Sequence, residues 1–388
     1  MSEPGSDEAS GGAFDLPAGY LGLQREAREL AASAAGLAGR ADEADHVDPE
    51  MRELLRRSGL CAVMVPSRYG GRYEAVDSLA VTVVREALAA ESAHLDSLFA
   101  MQGIGSYALT VAGTAAVRDR WLPAVGKLDA IAALGLTEPD VGSDLKAITT
   151  TVRRDGDELV VTGRKSFITN AGDADFYTIL AREQGPGYSL VVLPADAPGL
   201  SVEHPHQIIA PHVLGDVILD EVRVPADHQV GEPGQGFRLM LATLATFRVS
   251  VAGAAVGLAG AALREAVRHT AGREQFGTPL ARLGPVPAML ASSWADIEMA
   301  RALTYRAAAA ASQDPLASLH LSSLAKVGAT EAAGRVVDRA VQVMGRFGLI
   351  RGSKIERLYR EARPMRIYEG STEVIFDSLA RHLVKELT

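Results

Sequence analysis

The pattern of hydrophobic residues changes twice along this 388-residue chain, and the changes divide it into three parts. Up to about residue 134, apolar residues recur every three or four positions, which is typical of amphipathic helices. From there to about residue 233, short β-branched runs are separated by Gly, Asp and Pro, which indicates strands without intervening helices. Long helical patterns then return. We therefore expect an α+β protein with a β unit between two helical units.

Four regions follow from these changes. Residues 1–20 are acidic and rich in Gly and Ser, and we expect a disordered tail there. Residues 21–134 should form an N-terminal helical domain, and residues 135–233 an antiparallel β domain, either a sheet or a barrel. Residues 234–388 should form a C-terminal helical domain. The β unit is too small to be an enzyme alone, so we expect function where it meets the helices.

Individual elements can also be placed. The predicted helices include residues 24–39, 49–58, 78–91 and 115–122, and the predicted strands include residues 159–162, 177–180, 189–192 and 217–219. The helix at 49–58 has the clearest ends, because Asp48 can cap it and Gly59 can terminate it.

Composition narrows the class of protein. The chain is 47% hydrophobic and 22% charged, which is ordinary for a soluble globular protein. Its net charge of −9 argues against a nucleic-acid partner, because phosphate recognition needs clustered Lys and Arg. The longest weakly polar run, residues 249–263, is shorter than the roughly 20 residues that span a bilayer. We therefore expect it to be a buried helix, and we expect no membrane segment.

Cysteine and histidine usage limits the possible metal sites. Cys61 is the only cysteine, which excludes an internal disulfide and any cysteine-based metal site. The nine histidines are scattered, and a solvated loop accounts for the neighbouring His204 and His206 better than a metal does. We expect no bound metal. With a single cysteine, a reduced, cytoplasmic setting fits best. The first 19 residues also lack the apolar segment of a secretory signal.

Two tracts of the β region could hold a cofactor. The sequence LTEPDVGSD at residues 136–144 offers hydroxyls, a flexible glycine and free backbone N–H groups, which suit the phosphates and carbonyls of a nucleotide. A capped turn would explain the same residues. In GRKSFITNAG at residues 163–172, Phe167 and Thr169 are two positions apart and should share a strand face. An edge strand ending in a turn is the alternative.

Three further tracts lie in the C-terminal region. Arg273 precedes a glycine turn at the end of a long helix, where its guanidinium could bind a pyrophosphate through two hydrogen bonds. An ordinary charged helix end is the alternative. The tract QVMGRFG at residues 342–348 is a helix exit that allows close backbone approach. In RIYEGSTE at residues 366–373, a partly apolar pocket would raise the pKa of Glu369 toward that of a general base. The alternative is a carboxylate favoured by the helix dipole.

Taken together and in this order, these tracts resemble the signatures of the acyl-CoA dehydrogenase family. The matching segments also include PSRYGG at residues 66–71, VRVP at 222–225 and GEPGQGF at 231–237. The resemblance extends from about residue 21 to about residue 384. It implies an N-terminal helical domain, a central antiparallel β-barrel-like domain and a C-terminal four-helix bundle.

The resemblance implies that FAD binds between the β unit and the C-terminal helices. Thr137 and Thr169 would hydrogen-bond the flavin ring, and Phe167 would pack against it. Ser143 would contact the pyrophosphate, and Leu136 and Gly142 would belong to the same cofactor-binding tract. The ADP half of a neighbouring subunit's FAD would be bound by Arg273, Phe276, Gln342 and Gly345. Ser371 and Glu373 would contact the FAD of their own subunit.

The implied reaction is the α,β-dehydrogenation of an acyl thioester. Glu369 would remove the α-proton while a hydride leaves the β-carbon for flavin N5, and Arg248, Tyr368 and Gly370 would line the substrate site. Some members of the family place the base directly before the arginine that corresponds to Arg248. That residue is Phe247 in this chain, which leaves Glu369 as the candidate.

Two departures from the family pattern concern the substrate. Many members that use CoA carry an acidic residue where this chain has Ala245, and a glycine where it has Arg346. The departures favour an atypical thioester, so the expected substrate is an acyl-CoA or an acyl group on a carrier protein. The resemblance also implies a homotetramer or dimer and an electron-transferring flavoprotein as partner. A flavin-dependent monooxygenase of the same fold and a non-catalytic flavoprotein are the alternatives.

Overall fold

The computed structural model describes residues 16–388, so most of the predicted tail lies outside the described residues. The first helix begins at Ala18, which places the last three residues of that predicted tail inside a helix. The N-terminal part consists of α1 (Ala18–Ala41), α2 (Pro49–Ser58), α3 (Ser78–Ala89), α4 (Ala93–Ala112) and α5 (Ala115–Lys127). The four helical segments predicted in this part all fall on these helices.

Helix α2 shows why local sequence was sufficient there. The Asp48 side chain accepts a hydrogen bond from the Met51 N–H at 3.0 Å, and Pro49 takes the first helical position. The helix ends at Gly59, whose φ of 67° is in the left-handed region that glycine adopts readily. The predicted bounds and both predicted end residues are confirmed.

Helix α4 has no such amphipathic signature. It packs against α3, α5, α6 and β1, and buried residues occur around most of its circumference. A helix enclosed on all sides does not show the one-sided apolar stripe by which surface helices are recognised. The sequence therefore indicated a helical region here without singling out this helix.

The central part is an eight-stranded sheet. Its strands are β1 (Ala132–Gly135), β2 (Thr151–Asp155), β3 (Glu158–Thr169), β4 (Phe176–Glu183), β5 (Tyr188–Pro194), β6 (Leu200–Glu203), β7 (Leu214–Pro225) and β8 (Gln229–Val230). The hydrogen-bonded order is β6-β7-β3-β2-β4-β5-β8, and β1 pairs with β4. The four predicted strand segments lie in β3, β4, β5 and β7.

The sheet is mixed, which corrects the expectation of a purely antiparallel domain. Strand β4 runs parallel to both β1 and β2, whereas the other pairs are antiparallel. Parallel neighbours need a long crossover, and the β3 strand with its turns provides it between β2 and β4. The spacing of β-branched runs locates strands but not their partners.

The C-terminal part is helical again. It contains α6 (Gly236–Gly272), the hairpin strands β9 (Glu274–Gln275) and β10 (Thr278–Pro279), α7 (Val286–Gln313), α8 (Leu319–Met344), α9 (Lys354–Met365) and α10 (Thr372–Leu387). Helices α6, α7, α8 and α9 share one apolar core to which α3 also contributes. This is the expected bundle, with α10 packed on α8 as an additional helix.

Helix α6 connects the three parts. It contacts α3 and α4, strands β4 and β5, and its bundle partners. Among the described residues it is the one helix long and apolar enough to cross a membrane, and 78% of that apolar stretch is buried inside the protein. The predicted burial of residues 249–263 is confirmed for nearly all of them. The cytoplasmic setting stays a prediction.

Candidate active site

Glu369 lies in a tight turn between α9 and α10. Helix α9 ends at Met365. The carbonyl oxygen of Pro364, in the last turn of that helix, accepts a hydrogen bond from the Tyr368 N–H at 3.1 Å. Glu369 and Gly370 then both adopt positive φ, 53° and 101°. A left-handed conformation is costly for a glutamate, so the surrounding structure must hold it there. Helix α10 begins directly afterwards.

Two cationic side chains hold the carbonyl groups of this turn. Arg248 of α6 donates from Nε to the Glu369 carbonyl oxygen at 3.1 Å and from Nη1 to Ser323 Oγ at 3.1 Å. Lys326 of α8 donates from Nζ to the Gly370 carbonyl oxygen at 2.6 Å. Consecutive carbonyl groups are thus bound by charged donors from two different helices. The turn is fixed by its backbone, and the Glu369 side chain remains free.

The carboxyl group of Glu369 has a distinctive environment. Its Oε2 atom is buried and has no hydrogen-bond partner in the described structure. Burial raises the pKa of Glu369, an effect opposed by the positive charges of Arg85, Arg248 and Lys326. Arg85 is itself paired with Asp96 at 2.6 Å, so much of its charge is compensated. The result is a carboxylate of increased basicity that is directly hydrogen-bonded to none of these cations.

The tract at residues 136–144 leaves β1 and is anchored by a buried ion pair. Lys165 of β3 donates from Nζ to Glu138 Oε1 at 2.9 Å and to the Leu136 carbonyl oxygen at 3.1 Å. The Ser166 N–H donates to the Thr137 carbonyl oxygen at 2.9 Å. The predicted residues Leu136 and Thr137 are therefore held rigidly against β3, with Thr137 partly exposed.

Glu138, the acidic member of this pair, accepts hydrogen bonds at both carboxylate oxygens. Its two oxygens also accept the Thr149 N–H, the Thr149 hydroxyl and the Thr150 N–H at 2.7 to 2.9 Å. Burial alone would raise the pKa of Glu138, but these donors and Lys165 outweigh it and lower the pKa to about 2. Burial also lowers the pKa of Lys165, to about 8, which the ion pair partly offsets. Glu138 is a structural carboxylate.

The second predicted tract contains a β-bulge. The β3–β7 register shifts between Lys165 and Ile168, and Phe167 adopts a φ of 58°. Asp216 of β7 supports the bulge by accepting the Ser166 hydroxyl at 2.6 Å and the Phe167 N–H at 3.3 Å. Phe167 is 50% exposed and Thr169 is partly exposed, while Ile168 between them is buried. Both predicted side chains are therefore accessible, although the regular alternation is broken.

The β-domain residues fit a flavin nucleotide. Gly142 and Ser143 are exposed, and within the described residues their backbone N–H groups have no protein acceptor. Free backbone donors in a turn are suited to a pyrophosphate. Phe167 stacks on the His206 ring with centroids 4.7 Å apart, which covers one face of the Phe167 ring while half of the residue's surface remains exposed. The accessible set comprises Thr137, Gly142, Ser143, Phe167 and Thr169.

The other predicted cofactor residues form a separate group at the ends of α6 and α8. The Arg273 guanidinium lies 5.0 Å from the Phe347 ring centroid, and Arg346 approaches the same ring at 5.1 Å. Gln342 and Gly345 are exposed at the adjacent end of α8. Phe276 sits in the β9–β10 hairpin with 97% of its surface exposed. The Phe276 ring is therefore available for contact with another molecule.

The remaining predicted residues surround the Glu369 turn. Ser371 caps α10 by accepting the Val374 N–H at 3.4 Å, and Glu373 is exposed in the first turn of that helix. Tyr368 is 39% exposed. Arg248, predicted to line the substrate site, is engaged with the Glu369 backbone and Ser323. Its contact with substrate stays a prediction, as do the roles of Tyr368 and Gly370.

Sequence reasoning missed the residues that hold the site together. Lys326, Lys165, Asp216 and the Arg85–Asp96 pair are all buried and act through main chain or through another side chain. Lys326 offered one signal, since it lies on the apolar face of α8 between Ala325 and Val327. A charge on a buried helix face needs a partner, and that rule alone would have marked it for attention.

Family models match nearly the whole described chain. The acyl-CoA dehydrogenase N-terminal domain matches residues 21–129, the middle domain residues 133–222, and the C-terminal domain residues 234–384. The chain belongs to the acyl-CoA dehydrogenase family. Members of this family are flavoprotein oxidoreductases that bind FAD and act on CH–CH donors. The expected family, fold class and cofactor are confirmed.

Individual acyl-CoA dehydrogenases resemble the chain along most of its length. Cyclohexane-1-carbonyl-CoA dehydrogenase of Geobacter metallireducens is 34% identical over 345 residues, which cover 88% of this chain and 90% of the relative. The solved glutaryl-CoA dehydrogenase–glutaryl-CoA complex is 29% identical, with a TM-score of 0.90 and 96% coverage of both chains. FkbI, described for biosynthesis of the methoxymalonyl extender unit of Fk520, is 31% identical with a TM-score of 0.82, covering 94% of this chain and 99% of FkbI.

Proposed function

We propose that this acyl-CoA dehydrogenase desaturates an acyl thioester between its α- and β-carbons, with Glu369 as the base. The observation that carries the proposal is the Glu369 carboxyl group. Its buried Oε2 has no hydrogen-bond partner among residues 16–388, while Arg248 and Lys326 hold the carbonyl oxygens of Glu369 and Gly370. A carboxylate without a permanent partner can accept a proton from a substrate. Its raised pKa brings its basicity closer to that required for a weakly acidic α-proton.

The chain's own residues prepare this proton transfer. The left-handed turn fixes the position of the Glu369 backbone, and its N–H would help to stabilise the thioester carbonyl as negative charge develops there. Burial around Glu369 limits its contact with water, which keeps the carboxylate basic. When bound, FAD supplies an acceptor for the hydride that leaves the β-carbon. Thr137, Thr169 and Phe167 would hold the flavin ring, and Ser143 would hold the pyrophosphate.

We further propose that each site is completed by a second copy of the chain. Arg248, beside the base, lies on α6, and Arg273, in the other cofactor group, directly follows the C-terminal end of that helix. The 25 residues between them correspond to about 37 Å of helix. One dinucleotide does not reach between two points that far apart. The group of Arg273, Phe276, Gln342 and Gly345 would therefore serve the FAD of a neighbouring subunit. The fully exposed ring of Phe276 supports this arrangement, and a tetramer or dimer would provide it.

We propose two candidate carriers for the acyl group, CoA and a carrier protein. Ala245 is fully buried three residues before Arg248, so no acidic group is available there for the pantetheine end of CoA. Similarity to FkbI, described for biosynthesis of an extender unit, supports a biosynthetic role, and an acyl group on a carrier protein is our second candidate substrate. Similarity to cyclohexane-1-carbonyl-CoA dehydrogenase supports a CoA thioester. Reoxidation by an electron-transferring flavoprotein and a cytoplasmic location complete the proposal.

The Glu369→Gln variant tests the base. Purified FAD-loaded enzyme would be mixed anaerobically with a panel of acyl-CoA thioesters while the flavin absorbance and the enoyl product are recorded. The variant should retain FAD and lose the reaction by about 10²–10⁴-fold or more, because the proton acceptor is gone. Asp377→Asn, an exposed carboxyl change on α10, is the matched control and should react normally. Near-normal reduction of Glu369→Gln would overturn the proposed mechanism.

A second experiment tests the carrier. The same acyl group would be offered on CoA and on a phosphopantetheinylated carrier protein, and kcat/KM would be compared. A preference for the carrier protein supports the biosynthetic assignment. A clear preference for CoA contradicts it and leaves the proposed role of Glu369 intact.

A further inference from the structure

Lys326 is the least expected charged group near the base. It lies in the middle of α8 with its side chain completely buried, on the helix face where Ser322 and Thr330 are also buried. An ammonium group in such a place normally pairs with a carboxylate. Its Nζ instead donates to a main-chain oxygen, that of Gly370, at 2.6 Å. The protein thus pays a desolvation cost to place a cation directly beneath the Glu369 turn.

The positive charge of Lys326 acts mainly on one neighbouring carboxylate. The charged groups that face Lys326 are Glu369 in the turn, Arg248 on α6, Glu331 on α8 and Glu373 on α10. Of the acidic ones, Glu331 is already engaged by Arg366 and by the Thr372 hydroxyl at 2.8 Å each. Glu373 is exposed to solvent. Glu369 is therefore the carboxylate on which the charge of Lys326 acts most effectively.

We infer that Lys326 is a positioning residue for the dehydrogenation: by binding the Gly370 carbonyl oxygen it holds the base in its left-handed turn and tunes its charge. The inference rests on the proposed function of Glu369. Arg248 secures the preceding carbonyl, so the two cations together hold both ends of the Glu369–Gly370 peptide segment. Neither donor reaches the Glu369 carboxyl group itself, which stays available to the substrate.

The arrangement has a defined electrostatic consequence. Burial raises the pKa of Glu369, Asp96 on α4 raises it further, and Arg85 on α3, Arg248 and Lys326 lower it. Burial also lowers the pKa of Lys326, to about 8, so the cation is charged at neutral pH. Loss of this charge should make Glu369 harder to ionise. In the pH–rate profile, the acid limb is the range where the rate falls as Glu369 becomes protonated. This limb should then move to higher pH.

The test compares Lys326→Met with wild type in the FAD-loaded enzyme. Anaerobic flavin reduction by an accepted acyl-CoA would be followed by stopped flow between pH 5 and 9, together with steady-state kcat and KM. We expect the acid limb to rise by about one pH unit and kcat at pH 7 to fall by about 10–100-fold. KM should change little, because the Lys326 side chain is completely buried and bonds to main chain.

Two further variants make the result decisive. Thr330→Val alters the same buried face of α8 one turn away without changing charge, and its pH profile should match that of wild type. If Lys326→Met does not yield folded, FAD-containing enzyme, Lys326→Gln replaces it, since an amide can still donate to the Gly370 oxygen. An acid limb that stays within about 0.3 units of wild type in the variant used would overturn the inference.

Glu369→Gln separates this outcome from failure of the proposed function. If Glu369→Gln still reduces flavin, Glu369 is not the base and the proposed mechanism fails. If Glu369→Gln is inert while the Lys326 variant keeps the wild-type limb, only the role of Lys326 is refuted. If Glu369→Gln is inert and the limb moves in the Lys326 variant but not in Thr330→Val, both proposals stand.

Discussion

Two glutamate–lysine neighbourhoods in this protein, each with a completely buried lysine, have opposite designs. In the β domain, Lys165 contacts the carboxylate of Glu138 directly at 2.9 Å. In the helical domain, Lys326 binds the Gly370 carbonyl oxygen and leaves the neighbouring Glu369 carboxylate uncontacted. Both lysines are completely buried, and burial lowers the pKa of each to about 8. The pKa shifts of the two glutamates nevertheless have opposite directions, since the pKa of Glu138 is lowered and that of Glu369 is raised.

The contrast shows how the same pair of residue types yields structure in one place and reactivity in the other. A carboxylate that receives every available hydrogen bond is stable and inert, and Glu138 uses this stability to anchor the cofactor-binding tract. A carboxylate whose cation is directed to the adjacent backbone keeps its position and its basicity. The placement of the lysine nitrogen, on the carboxylate or on the peptide, determines which of the two results.

The largest expected difference is in how much the unfolding free energy falls when each lysine is replaced. Lys165→Met leaves the Glu138 carboxylate buried without its counter-charge and should lower the unfolding free energy by about 3–5 kcal/mol. Lys326→Met removes a desolvated cation and leaves one carbonyl group unpaired, so it should cost less than about 2 kcal/mol. Urea denaturation of both variants at equal FAD concentration would measure this. Equal losses would contradict the structural distinction between the two sites.

The pH dependence of stability should have opposite signs at the two glutamates. The folded-state pKa of Glu138, about 2, is below its usual value, so its stabilisation is present above about pH 4.5 and is lost as the pH falls toward 2. Over that range the difference between wild type and Glu138→Gln should shrink by about 3 kcal/mol.

Glu369 provides the comparison. Because its folded-state pKa is raised, wild type should lose stability relative to Glu369→Gln as the pH increases above about 4.5. Acid-range and neutral-range denaturation curves of the three proteins would show both trends. Parallel curves for the two variants would contradict the opposite signs.

Substitution of Gly370 tests how much the turn depends on its backbone. Gly370→Ala places a Cβ at a φ of 101°, at 3.2 Å from the Ile375 side chain and 3.4 Å from Arg248 Nη2. We expect a loss of about 1–2 kcal/mol in unfolding free energy and a lower kcat, because the base would be displaced. The matched control is Gly185→Ala, in the turn between β4 and β5, where the added Cβ has no neighbour within 4 Å. Its unfolding free energy should be nearly unchanged.

The smallest expected effect concerns the cap of α10. Ser371→Ala removes the acceptor for the Val374 N–H and should cost about 1 kcal/mol of stability. If Ser371 also contacts FAD, the FAD dissociation constant should increase in the same variant. Titration of apoprotein with FAD would separate the two roles, and an unchanged constant would restrict Ser371 to capping.

Elements with local signals were the ones predictable from sequence. Helix α2 is defined by its own cap and its own terminating glycine, and the β-branched runs marked β3, β4, β5 and β7. The parallel pairing of β4 and the enclosed helix α4 depend on residues distant in sequence, so local patterns did not reveal them. The same distinction applies to the site. The IYEG tract identified Glu369 from sequence, whereas Lys326, 43 residues earlier, gave only the signal of a charge among apolar residues, and its contact with Gly370 depends on the fold.

The uninterrupted length of α6 also has a genetic consequence. Because Arg248 lies about one third of the way along that helix and Arg273 directly follows its C-terminal end, damage at the two positions would affect different active sites in the proposed assembly. A chain inactivated at Glu369 and a chain inactivated at Arg273, produced in the same cell, would then assemble mixed oligomers in which some sites receive both intact halves. Two null alleles of this one gene would partly complement each other.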